Sequence, residues 1–125
     1  MKRYNPLKAP NPQDWLALDE GVRIILVMEY HSKIEEDHPG SHAHAIIHTI
    51  IENQVALGDE TPVKSTIERL IKEGLDRHDA IHAVGSVLAK YLWKIGKKEI
   101  TENVSDPYFE DVRLLTAQTW LDEIE

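Results

Sequence analysis

The stretch TPVKSTIERLIKEGLDRHDAIHAV, Thr61 to Val84, holds a helix start, a stop and a second start. Thr61 offers a capping side chain, and Pro62 suits the first helical position, where its missing N–H costs nothing. Gly74 is the stop, and Asp76 caps a new helix at once. This spacing predicts helices over 62–73 and 77–95. Outward from here, Asn11-Pro12 and Asp106-Pro107 repeat the start signal and Ser41 supplies another cap. The segments DHPGS after residue 36, LGDE after 56 and IGKKEITENVS after 94 read as stops. Five helices follow, near 12–36, 42–57, 62–73, 77–95 and 107–123. No alternating run is long enough for a strand.

The expected fold is all-α, a single-domain up-down bundle over 1–125, because short connections favour antiparallel neighbours. Residues 1–11 form an extended arm laid on the surface, 12–95 a four-helix core and 107–123 a C-terminal helix. A chain of 125 residues supports one core. Apolar faces recur at helical spacing: Ile46, Ile47, Ile50, Ile51 and Val55; then Ile81, Val84, Leu88, Tyr91, Leu92 and Ile95; then Phe109, Val112, Leu115 and Trp120. Gln54 falls within the first of these faces and needs partners for its amide. Trp93 is expected to pack, at the far end of its helix from the histidines.

Composition excludes several functions. With no cysteine there is no disulfide, thiolate nucleophile or iron–sulfur cluster. A formal charge of −8 without any basic run argues against nucleic acid as partner. The N-terminus lacks an apolar core of the signal-peptide kind, and the longest apolar run, Ile24 to Met28, is too short to span a bilayer. No membrane association is expected, and cytoplasm is the expected compartment.

Chemistry concentrates in histidine. SHAHAIIH, residues 41–48, and RHDAIH, residues 77–82, each carry an H-x3-H pair, His44 with His48 and His78 with His82. At i and i+4 the members of a pair share a helix face. In an up-down bundle these two helices run parallel, so both pairs meet at one end. His31 continues the apolar line Ile24, Val27, His31, Ile34 and joins them there. Neutral imidazole suits zinc and iron, and bundle cores hold such ions between facing helices. His44, His48, His78 and His82 are therefore the expected ligands, with His31 and Glu52 as additions. Glu52 and Glu35 also supply candidate general bases or acceptors for ring N–H groups. His44 and Glu52 stand ~12 Å apart along the axis, so one ion cannot take both. His38 and His42 read as solvated.

The expected function is binding of a divalent transition metal, zinc or iron, with hydrolase or oxidoreductase activity on a small molecule as its enzymatic form. The alternatives are a metal-free enzyme using one histidine as acid-base catalyst, or a non-enzymatic helical interaction module with structural histidines, meeting a protein partner or a second copy. There is no H-E-x-x-H, no phosphate-cradling glycine loop and no nucleophile elbow. The segment 65–86 has a helix-turn-helix outline, but its second helix carries core-edge histidines and few bases.

Several motifs together resemble a known family. His44-AII-His48, ENQ ending at Gln54, a proline-started helix with Arg69-Leu70, GLDRHDAIH and Leu92-Trp93 are similar to a bacterial family, domain of unknown function 1841, over roughly residues 41–95. The resemblance picks out His44, His48, Gln54, His78, His82 and Trp93, and implies that the four histidines form a unit. It gives Glu52 no secure counterpart, leaves His31 outside the matching region, and implies no activity.

Overall fold

Asn11 starts the first helix as its side chain dictates, Oδ1 accepting the N–H of Asp14 at 3.1 Å with Pro12 beside it. The computed structural model describes residues 3–34, 41–98 and 104–124, with backbone alone for 31–34 and 41. Among these residues there are seven α-helices and no strand: α1 Pro12–Ala17, α2 Glu20–Ile34, α3 Ser41–Ala56, α4 Val63–Lys72, α5 Arg77–Gly96, α6 Ser105–Leu114 and α7 Ala117–Ile124. A single 3-10 turn, Gly58–Glu60, joins α3 to α4. None of these helices is long and apolar enough to cross a membrane.

Seven replaces the five expected because two segments break. Leu18 is extended (φ −79°, ψ 147°) and ends α1; Arg23 on α2 then hydrogen-bonds the carbonyl of Leu16 at 2.9 Å, satisfying a group the break exposes. Leu115 is likewise extended (φ −65°, ψ 135°), and Thr116 restarts the chain, its Oγ1 accepting the N–H of Thr119 at 3.1 Å. An ion pair on α4 clamps this second corner. Arg69 donates to the carbonyl of Leu115 at 2.5 Å, while Glu73 accepts the N–H of Ala117 at 2.8 Å and pairs with Arg69 at 2.6 Å.

The α4–α5 turn is closed as the glycine predicts. Gly74 sits at φ 115°, its N–H bonded to the carbonyl of Ile71, while Leu75 N–H reaches Leu70. These two bonds and the burial of both leucines make a Schellman stop. Asp76 then caps α5 through the N–H of Asp79 at 2.8 Å.

The main core gathers Ile51, Val63, Ile67, Leu70, Ile81, Val84, Val112 and Trp120 from α3 to α7. Each such aliphatic side chain contributes about 1.5–3 kcal/mol on full burial. A second cluster, Tyr4, Trp15, Leu26, Val27 and Ala45, seats α1, α2 and the arm against α3. Gln54 ties α3 to α6, its Oε1 accepting the Tyr108 hydroxyl at 2.8 Å.

Three further expectations are corrected. The helices bearing the histidine pairs run antiparallel across the site. Glu52 meets Arg77, His48 meets His78, His44 meets His82, and Ile47 lies against Gly85. As the α3 number falls, the α5 number rises. Arg77, at the start of α5, already lies beside Glu52 in the C-terminal half of α3, and α5 runs from there back toward the N-terminal end of α3. The arm, expected on the surface, buries Tyr4 and Pro6. Trp93, expected to pack, is 66% exposed, with Lys97 Nζ 4.5 Å over its ring; Leu92 and Ile95 beside it are also exposed.

Candidate metal centre

Antiparallel packing at the crossing of α3 and α5 interleaves the two pairs. Because i and i+4 residues stack on one face, His44 and His48 present a column of rings (centroids 5.0 Å apart), and His78 and His82 present another (4.3 Å). The columns mesh, with His44 5.1 Å and His48 5.0 Å from His82, and His48 5.2 Å from His78. Gly85, one turn beyond His82, permits the approach: a Cβ there would stand 3.1 Å from Ile47 Cγ2.

Three of the four histidines offer nitrogen atoms that all lie within 4.8 Å of one another: His44, His48 and His82. Nitrogens bonded to one ion at about 2.0–2.1 Å stand at most about 4.2 Å apart, so the trio is near that spacing and would close on an ion by small side-chain rotations. His48 is buried at 1% exposure, whereas His44 and His82 are half-buried. His78 lies outside this grouping; its ring packs on His82 and stands 5.8 Å from Tyr30. His42 is exposed. The side chain of His31, and Glu35 and His38 altogether, lie outside the described residues.

On one side the trio opens into a cavity of about 270 Å³. Ile47, Ile81, Gly85 and Ala89 give it apolar walls, with Ser86 as a hydroxyl at the edge. On the other side it rests on a buried polar network. Glu52, one turn past His48, is buried with its carboxylate held by two parallel bonds from Arg77, at 2.7 and 2.8 Å. The Tyr4 hydroxyl donates to Glu52 Oε2 at 2.5 Å and lies 3.5 Å from His48 Nδ1. Arg77 also donates to the carbonyl of Pro6 at 2.9 Å, which fastens the arm.

Physical causes for this network are local. A buried carboxylate without a counter-charge is strongly disfavoured, and the bidentate guanidinium supplies both charge and geometry. Burial, reinforced by the charge and hydrogen bond of Glu52, holds the Tyr4 phenol well above its ordinary pKa. Burial would push the Arg77 guanidinium down, but the hydrogen bond and charge of Glu52 outweigh it and keep it raised.

Tyr4 and Arg77 join the site without being among the residues expected there. Arg77 had a legible signal: it falls on the line of Ile81, Val84 and Leu88, so a charged side chain stands in an apolar stripe. On α3, Glu52 follows Ala45 and His48 on a similar line. Tyr4 had none, since its partner is 48 residues away.

No curated protein and no solved structure matches the chain. A family model described as domain of unknown function (DUF1841) matches residues 17–113, a wider span than the 41–95 of the sequence motifs, and one that reaches into α2 and α6. That match contains the four histidines, Glu52 and Arg77 but not Tyr4, and by it the chain belongs to the DUF1841 family.

Proposed function

We propose that the protein binds one divalent transition metal ion, zinc or iron, through His44, His48 and His82. The observation that carries this reading is the convergence of three imidazole nitrogens from two helices within 4.8 Å. Neutral imidazole is a ligand for such ions, and half-buried histidines on facing helices are a common way to hold them. Three protein ligands beside a cavity match the arrangement of a centre with an open position, where a bound water is acidified or a substrate oxygen polarised. The small, mainly apolar cavity favours a compact organic substrate over a polymer.

Glu52 is assigned a supporting place rather than that of a ligand or base, because Arg77 and Tyr4 already engage both its oxygens. Elemental analysis of protein purified without a histidine tag tests the reading. About one equivalent of zinc or iron per chain is expected, and protein that neither carries nor takes up metal would refute it.

A further inference from the structure

We infer that Tyr4, delivered by the N-terminal arm, positions His48 for metal by fixing which of its ring nitrogens carries the proton. The inference deepens the metal-binding reading and rests on it for its consequence, though its first step stands on hydrogen bonding alone.

Arg77 saturates one side of Glu52 with two parallel N–H donors at 2.7 and 2.8 Å. A carboxylate so held accepts and cannot donate, so the 2.5 Å contact to Tyr4 uses the tyrosine's only proton. The Tyr4 oxygen then has only lone pairs to offer to its other neighbour, His48 Nδ1, at 3.5 Å. That nitrogen is held as N–H. A neutral imidazole carries one ring proton, so Nε2 keeps its lone pair. Nε2 of His48 is buried, on the opposite edge of the ring from Tyr4. The sequence of contacts Arg77, Glu52, Tyr4, His48 thus works in one direction, each group setting the role of the next. Metal-binding histidines commonly rely on such an outer partner, and its loss typically lowers metal affinity about 10–100-fold.

Tyr4 is also mechanically fixed. It is 4% exposed, packs on Trp15 and Tyr30 at ring distances of 5.9 and 6.0 Å, and its arm is pinned where Arg77 meets the Pro6 carbonyl. The arm therefore belongs to the site, although it lies outside the family match.

Tyr4→Phe tests this, because it deletes the hydroxyl and keeps the ring. Two readouts are needed: the 15N imidazole spectrum of the metal-free protein near neutral pH, with His48 assigned, and a Zn²⁺ titration by calorimetry. Wild type should show His48 as the Nδ1–H tautomer. Tyr4→Phe should show a mixture of tautomers and bind zinc about 10–100-fold more weakly, with cooperative unfolding retained. An Nε2–H tautomer in the wild type overturns the inference by itself, even if the variant fails to fold. So does a folded variant with unchanged tautomer and unchanged affinity, while the metal-binding reading survives. If wild type binds no zinc but the tautomer responds to Tyr4→Phe, the metal reading fails and the control of His48 by Tyr4 stands.

Discussion

Arg77 and Trp93 occupy the same helix and have opposite fates, which accessibility explains. Arg77 is buried against Glu52, and removing one member of a buried ion pair leaves an uncompensated charge. Arg77→Met is expected to lower the free energy of unfolding by about 3–5 kcal/mol, measured by urea denaturation. A change below about 1 kcal/mol would mean that the pair is solvated in the native protein. Trp93 is mostly exposed, with Lys97 over its ring, so Trp93→Ala should shift stability by less than about 0.5 kcal/mol and leave zinc affinity unchanged. The sequence cannot separate these cases by residue type. A tryptophan at helical spacing reads as core, and an arginine just after a cap reads as surface, until the neighbouring helix is in place.

At the scale of elements, the caps were largely legible and the directions were not. Asn11, Asp76 and Gly74 act where their chemistry places them, because capping bonds involve residues two to five apart. The breaks at Leu18 and Leu115 depend on Arg23 and Arg69 reaching carbonyls from other helices, and no local pattern announces that. Helix direction failed for a similar reason: it is set by contacts such as Arg77 against Glu52, 25 residues apart, and not by the short connections from which the up-down order was expected. The histidine pairs nevertheless converge, because an H-x3-H column is two-ended and meshes with its partner in either sense. What the mesh requires is close approach, which Gly85 provides. Gly85→Val would press a branched side chain on Ile47, and is expected to cost about 1–3 kcal/mol in chemical denaturation. It should also weaken zinc binding at least tenfold by parting His82 from His44. Unchanged affinity in a destabilised variant would show that the rings tolerate a wider gap.

For the whole molecule, the buried phenols set an alkaline limit. Tyr91 donates to Asp111, and with some help from burial this raises its pKa to about 12; Tyr108 is raised mainly by burial. Tyr4 is raised as well. In the unfolded chain a tyrosine ionises near pH ~10. Between that value and the folded one, the native state holds protons that the unfolded state has lost, so stability falls as pH rises. The contribution is complete below about pH 10 and disappears as pH climbs through the folded values. Denaturation midpoints are expected to decline steeply above about pH 10, and Tyr91→Phe should make that decline shallower. An identical alkaline slope in the variant would show that Tyr91 does not carry the shift. Glu73 acts at the opposite end. Its carboxyl is lowered by the N–H of Ala117 and then by Arg69, so its contribution is present above the ordinary carboxylate range and fades as pH drops through the folded value.

Metal binding by this protein requires side chains from α3 and α5 to make a single centre. Calorimetric titration of metal-free protein with Zn²⁺ near neutral pH, wild type beside His44→Ala, His48→Ala, His82→Ala and His42→Ala, tests it directly. The predicted result is saturable binding of about one ion per chain, weakened by orders of magnitude in each of the first three variants and unchanged in His42→Ala. Binding that survives His82→Ala but not His48→Ala, or no stoichiometric binding in the wild type, would contradict it.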